Sequence, residues 1–149
     1  MINKDFKEFI GLLNKNDVKY LIVGGYALAF YGYPRYTKDI DFWLWIDKRN
    51  AKNILKTLHE FGFSSLDIKE EDFLSPGYVI QLGQPPSRID LLTSVTGLEF
   101  NKCYKSRVNS KIQGLEVNFI DLDNFKKNKR AVGRHQDLAD LENLDSNIF

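Results

Sequence analysis

Phe6, Phe9, Ile10 and Leu13 recur at intervals of three and four residues, which places them on one stripe of a helix, and the polar run Asn14-Lys15-Asn16-Asp17 ends it. Val18 to Val23 reads as a buried strand. Gly24-Gly25 then forms a strand-to-helix turn into a short helix from Tyr26 to about Tyr31, stopped by Gly32 and Pro34. From Asp39 to Ile46 the pattern alternates, so Ile40, Phe42, Leu44 and Ile46 share one face of a strand, and Asp39 and Asp41 share the other. Trp43 and Trp45 fall on the aspartate face, where they pack beneath covering helices. Asp47 is placed to cap a helix in which Ala51, Ile54, Leu55, Leu58 and Phe61 keep the helical period and Gly62 closes it.

The second half is more broken. Phe63 to Leu74 yields a short strand and an acidic turn through Glu70, Glu71 and Asp72. Tyr78 to Leu82 and Arg88 to Val95 are strands on either side of the loop Gln84-Pro85-Pro86-Ser87. Leu98 to Tyr104 reads as helical, and Arg107 to Ile120 as a hairpin broken at Gln113-Gly114. Asp121 or Asp123 caps a basic helix running to about Val132, and Gly133 separates it from a last helix that uses Leu138, Leu141 and Leu144. This order predicts a mixed sheet flanked by helices, α/β or α+β in class, in a single domain spanning residues 1–149.

Composition narrows the function classes. Hydrophobic residues at 43% and charged residues at 28% describe an ordinary globular chain, and a net charge of +1 excludes strong nucleic-acid affinity for the molecule as a whole. The charge is uneven: Lys102, Lys105, Arg107, Lys111, Lys126, Lys127, Lys129, Arg130 and Arg134 precede the acidic Asp137, Asp140, Glu142 and Asp145. Lys126, Lys127 and Arg130 form a basic helix that could touch an RNA acceptor. The single cysteine, Cys103, permits no internal disulfide and reads as a half-buried helix residue. His59 and His135 lack ligand-spaced partners and read as surface residues. Charged residues near the N-terminus leave no signal-peptide core, and the uncharged stretch from Tyr20 to Pro34 is too short to span a bilayer, so a cytoplasmic protein with no membrane partner is expected.

Three aspartates carry the chemistry. Aspartate is disfavoured in strands, yet Asp39, Asp41 and Asp90 stand inside apolar runs, where unpaired charges would cost several kcal/mol. In Ser87-Arg88-Ile89-Asp90-Leu91-Leu92, alternation turns Asp90 away from Ile89 and Leu91, so a neighbouring strand could bring it beside Asp39 and Asp41. Carboxylates gathered this way call for a cation, and a hard divalent ion such as Mg²⁺ fits. Gly24-Gly25, after a buried strand and at a helix start, lets backbone N–H groups meet a phosphate with no side chain in the way.

These residues resemble a known group. A Gly-Gly turn, an Asp-x-Asp strand and a distal strand aspartate resemble the polymerase-beta-type nucleotidyltransferase superfamily, and Gly32-Tyr33-Pro34-Arg35-x-Thr37-x-Asp39-Ile40-Asp41 is similar to its small AbiEii-type, toxin-associated branch. The resemblance implies a minimal nucleotidyltransferase fold and two Mg²⁺ ions, with Mn²⁺ as a substitute, held by Asp39 and Asp41. It makes Asp90 an extra ligand or the general base, Gly24 and Gly25 contacts to the triphosphate, and Arg35 and Thr37 nucleotide contacts. Lys129-x-x-x-Gly133-Arg134-x-x-Asp137-x-x-Asp140-Leu141 is similar to the tail of that branch and implies that Lys129 and Arg134 neutralise the triphosphate, with Asp137 orienting Arg134.

The implied reaction is transfer of a nucleoside monophosphate from a nucleoside triphosphate such as ATP to a hydroxyl acceptor. An RNA end, a protein and an aminoglycoside-type small molecule stay open as acceptors. A catalytically weak nucleotide- or partner-binding module of the same fold is the alternative. The sequence contains no helical domain of the sort found in larger relatives, which points to a homodimer or a cognate toxin or antitoxin as the source of the missing surface.

Overall fold

The first helix, α1 (Lys4–Lys15), opens where the Asn3 side chain accepts the Phe6 N–H, and it buries Phe6, Phe9, Ile10 and Leu13. It leads into β1 (Tyr20–Val23), buried along its whole length. The glycine pair is not a separate turn but the first turn of α2 (Gly24–Phe30). After it come β2 (Asp39–Leu44) and α3 (Lys48–Phe61), the latter capped by Asp47, which accepts from the Arg49 and Asn50 N–H groups, and closed by Gly62 at φ 102°. A computed structural model describes residues 2–33, 38–63 and 67–146.

The expected acidic turn is a 3-10 helix, Glu70–Phe73, in which Phe73 turns into the core and Asp72 accepts the Lys69 N–H, and the described residues between 63 and 74 form no strand. Then follow β3 (Val79–Leu82), β4 (Arg88–Leu92), α4 (Phe100–Lys105), the hairpin β5 (Val108–Ile112) and β6 (Leu115–Phe119), and finally α5 (Leu122–Val132) and α6 (His135–Ser146). The hairpin turns at Gln113 and Gly114, both at positive φ, as a two-residue turn between twisted strands requires. Asp121, not Asp123, caps α5 by accepting the Asn124 N–H.

The strands form one sheet in the order β3-β4-β2-β1-β6-β5. Antiparallel β1 and β2 lie at its centre, β2 pairs parallel with β4, and β1 pairs parallel with β6. Strand alternation gives this sheet two unlike faces. Tyr20, Ile22, Ile40, Phe42, Ile89 and Leu91 form a fully buried apolar face, packed against α1 and α3 through Phe9, whose ring lies 5.4 Å from Phe42 and 5.2 Å from Phe61. The other face carries Asp39, Asp41, Trp43 and Asp90. Trp43 is buried on this face, edge-on to Phe100 of α4 at 5.2 Å, in the packing role expected from the sequence.

Both aspartate-bearing strands end earlier than alternation alone predicts. The Asn50 side chain donates to the carbonyls of Trp45 and Lys19, ending β2 at Leu44 instead of Ile46. The Thr93 hydroxyl accepts the Tyr78 N–H and ends β4 at Leu92 instead of Val95. Cys103 is fully buried rather than half-buried, and burial pushes its thiol up to about 11. Among the described residues no helix is long and apolar enough to cross a membrane.

Candidate active site

Parallel pairing of β2 with β4 sets Asp39 opposite Arg88 and Asp41 opposite Asp90. Register partners point to the same face, so the Asp-x-Asp pair and the distant aspartate converge as strand alternation predicts. Asp39, Asp41 and Asp90 each offer an oxygen within 4.8 Å of the other two, a spacing that can hold a metal ion. Asp90 is the most enclosed, 5% exposed, and its Oδ1 has no hydrogen-bond partner among the described residues. A buried carboxylate oxygen without a donor is costly in a finished protein, so the donor set fits a cation that would coordinate it.

The electrostatics agree. Burial, then the charges of Asp90 and Asp39 and a carboxyl hydrogen bond to Asp90, push the Asp41 carboxyl up to about 7, with the Arg88 guanidinium opposing. The cluster carries more negative charge than its surroundings neutralise. Arg88 supplies the compensation at hand: one guanidinium nitrogen lies 2.7 Å from Asp39 Oδ2 and 3.1 Å from Asp90 Oδ2. Those two carboxylates in turn raise the Arg88 pKa, Asp90 more than Asp39. Sequence reasoning gave Arg88 no role, although its place two residues before Asp90 puts it on the same face.

Gly24 adjoins the carboxylates directly. Its φ is 69°, and a Cβ built on it would overlap Asp41 Oδ2 and come within 3.0 Å of Asp41 Cγ. Only glycine fits both the backbone and the space. Gly25 follows in the first turn of α2, and Val23 at the N-cap offers no side-chain acceptor to that turn. Backbone N–H groups without a side-chain partner therefore begin beside the carboxylate cluster.

Of the remaining expected nucleotide contacts, Arg35 and Thr37 lie outside the described residues. Lys129 and Arg134 both meet carboxylates of α6. The Lys129 ammonium is buried between α5 and α6, 2.9 Å from Asp140 and 3.4 Å from Asp137. Arg134 lies along Asp137, with Nε 2.7 Å from Oδ2 and a second guanidinium nitrogen 3.3 Å from Oδ1, so Asp137 does hold Arg134. Arg134 first, and Lys129 after burial is overcome, keep the Asp137 carboxyl below its ordinary value. Lys126, expected on an RNA-facing surface, is also buried and pairs with Asp145 at 2.8 Å. The basic helix α5 thus spends Lys126 and Lys129 on its neighbour, because complementary charges on adjacent helices are cheaper to bury together than apart.

A family model matches residues 6–144: that of aminoglycoside-2''-adenylyltransferase. The chain belongs to that family. With this membership goes the nucleotidyltransferase superfamily expected from the motifs, and the protein is a nucleotidyltransferase. The matching model is that of the aminoglycoside-2''-adenylyltransferase family, and the AbiEii-type likeness of the Gly32–Asp41 string rests on those residues alone. No curated protein matches the chain in sequence.

Solved structures agree in fold. A candidate nucleotidyltransferase from Thermotoga maritima is similar over 98% of this chain and 96% of its own, at 16% identity and a TM-score of 0.64. An antigenic nucleotidyltransferase-like protein from Paracoccidioides brasiliensis is similar over 96% of this chain and 77% of its own, at 16% identity and a TM-score of 0.55. Membership in an adenylyltransferase family implies a nucleoside triphosphate as substrate.

Proposed function

We propose that the protein transfers an adenylyl group from ATP to a hydroxyl of an amino sugar, with Mg²⁺ held by Asp39, Asp41 and Asp90. The observation that carries the reaction is the convergence of these three carboxylates against Gly24. The family match supports ATP as donor and an aminoglycoside-type acceptor. Divalent ions at such a site supply electrophilic activation of the phosphate and lower the pKa of the attacking hydroxyl.

The chain's own residues do the positioning. Asp39 and Asp41, on one face of β2, would hold the divalent ions together with Asp90, and the ions would supply the positive charge that this cluster lacks. Gly24 and Gly25 would let the polyphosphate approach the backbone, and a side chain at position 24 would collide with Asp41. Asp90 takes the proton of the acceptor hydroxyl as its oxygen bonds to the α-phosphorus. The bond from that phosphorus to the bridging oxygen breaks in line, and pyrophosphate leaves with the electron pair. We place this activity in the cytoplasm, where ATP and Mg²⁺ are abundant.

The competing reading follows the AbiEii-type resemblance: an RNA or protein acceptor and a toxin–antitoxin role. One experiment separates the two. The protein is incubated with each α-labelled nucleoside triphosphate, Mg²⁺ and, in parallel, a panel of aminoglycosides, total cell RNA and lysate protein. Label from ATP in an aminoglycoside, absent with Asp39→Ala/Asp41→Ala, is expected. Label in RNA or protein alone would establish the competing acceptor, and equal transfer by the double variant would overturn the assigned site.

A further inference from the structure

One row of residues crosses the sheet through the carboxylate cluster. Strand register sets Val23 opposite Asp41, Asp41 opposite Asp90, and Asp90 opposite Gln81. Register partners share a face, and each strand adds about 4.8 Å to the row. At one end Gly24 follows Val23 and crowds Asp41. At the other end stands Gln81, on the edge strand β3. Gln81 is exposed, and its side chain makes no hydrogen bond among the described residues.

In-line transfer gives this row a direction. The attacking oxygen and the leaving pyrophosphate lie on opposite sides of the α-phosphorus. With the polyphosphate at the Gly24 end, the attacking hydroxyl comes from the Gln81 end. Asp90 takes the proton of that hydroxyl only from within hydrogen-bond reach, and Gln81 is the cross-strand neighbour of Asp90, with Cβ atoms about 5 Å apart in such a pair. The rest of the acceptor therefore extends over β3. Val79, two residues before Gln81 and on the same face, is 55% exposed and supplies an apolar surface there. From position 74 to position 87 the chain carries no Asp, Glu, Lys or Arg. This side thus offers no cation to the phosphates of a nucleic acid, and the adjacent Arg88 is engaged with Asp39 and Asp90. A carboxamide that both donates and accepts, beside an exposed valine, suits the hydroxyls, amines and carbon face of a sugar ring.

We propose that Gln81 is an acceptor-binding residue, which hydrogen-bonds the sugar at the group next to the hydroxyl that Asp90 deprotonates. The inference rests on the transfer reaction and the role of Asp90 given under Proposed function. Removing the carboxamide should then cost affinity for the acceptor and leave the nucleotide untouched.

The test uses the full chain with ATP, Mg²⁺ and kanamycin as the acceptor. Gln81→Ala should raise the KM for kanamycin about three- to tenfold, the range expected for loss of one uncharged hydrogen bond, with the KM for ATP unchanged. The pH profile of kcat should keep its shape, because Asp90 keeps its surroundings. Gln81→Leu, which retains length without polar atoms, should raise the kanamycin KM likewise, and both variants should fold as the wild type does because position 81 is exposed. A second readout is independent of turnover. The Gln81 side-chain amide resonances, identified by their absence from Gln81→Ala, should shift when kanamycin joins the protein, Mg²⁺ and a non-hydrolysable ATP analogue, and should stay in place with the analogue alone. Transfer to kanamycin at wild-type KM in both variants would overturn the proposal and leave the assigned activity standing. An altered pH profile at constant KM would also overturn it, by making Gln81 a partner of Asp90 instead of the acceptor. Kanamycin that neither takes label nor shifts these resonances would overturn the amino-sugar acceptor and this inference together.

Discussion

Replacing Asp41 by asparagine should stabilise the metal-free protein above neutral pH. The carboxyl of Asp41 is raised from 3.8 to about 7 by burial and by its two acidic neighbours. At about 1.4 kcal/mol per tenfold change in proton affinity, that difference corresponds to roughly 4 kcal/mol between the protonated and ionised forms of the fold. Because the folded-state pKa lies above the unfolded one, the fold holds the proton more tightly. This contribution is fully present below about pH 4 and is lost as pH rises through 7. Asparagine stays neutral throughout, so at pH 8 the variant should recover about 2–4 kcal/mol, the lower figure if it loses the carboxyl hydrogen bond to Asp90. For a domain of this size that is a rise in Tm on the order of 5–15 °C. Thermal unfolding in EDTA at pH 5 and pH 8 measures it. Adding Mn²⁺ at pH 8 should then reverse the order, since the wild type gains by ion binding and the variant has lost a ligand. A variant less stable than wild type at pH 8 in EDTA, or a gap that is the same at both pH values, would refute the electrostatic account of the cluster.

Three further expectations concern other parts of the molecule. Asp90→Asn should keep most of its nucleotide affinity, measured by calorimetry, and lose 10² to about 10⁴ in transfer rate; wild-type rates would make Asp90 structural. Gly24→Ala should cost at least about 1–2 kcal/mol from its left-handed backbone alone, and should in addition weaken Mn²⁺ binding by pushing Asp41 aside, so normal Mn²⁺ affinity in a folded variant would contradict the close approach. Lys129→Ala leaves Asp137 and Asp140 buried without their ammonium and should destabilise by about 3–5 kcal/mol in urea, with ATP affinity unchanged where the fold persists; a selective loss of ATP affinity would return Lys129 to the nucleotide site.

The Arg134–Asp137 pair has a pH signature of the opposite sign to Asp41. Its carboxyl is held below 3.8, so the stability it contributes is present above that value and is lost as pH falls through the folded-state pKa. Asp137→Asn should therefore flatten the acid limb of the stability curve below about pH 4, which denaturant titrations at pH 2.5 to 5 would check.

Much of this was visible in the residue pattern because local rules and the fold agree. Alternation in Asp39–Leu44 and in Arg88–Leu92 gave the aspartate face, and Asp47 and Gly62 marked both ends of α3. Strand ends were less legible, since the groups that stop β2 and β4 are side chains: Asn50 comes from a helix several residues on, and Thr93 pairs with Tyr78 across the sheet. The C-terminal tail was legible in part: Asp137 holds Arg134 as the spacing implied, but the partners of Lys129 were not visible. Lys129 and Arg134 have the charge and spacing of phosphate ligands, but partner choice depends on how α5 lies against α6, and no periodicity within either helix encodes that. Arg88 went unassigned although its face could be read, because the pattern does not reveal that Asp39 stands directly opposite it. The Gly24 requirement is of the same kind, since the clash that excludes a side chain comes from Asp41 on a neighbouring strand.

Asp41 and Asp90 face one another across a parallel pair, and the chain between those two strands runs from residue 45 to residue 87. Parallel partners cannot be joined by a tight turn, so the register between β2 and β4 closes a loop of that length and is costlier to nucleate than the short β1–β2 connection. A nascent or truncated chain that has made only the β1–β2 hairpin holds Asp39 and Asp41 without their third member, and gains no cation site from doing so. Competence for chemistry therefore requires closure of the β2–β4 pair, and ion binding would report on that closure. In a folding experiment, Mn²⁺ should slow unfolding more than it speeds folding if these non-local contacts form after the transition state, and equal effects on both rates would place them within it.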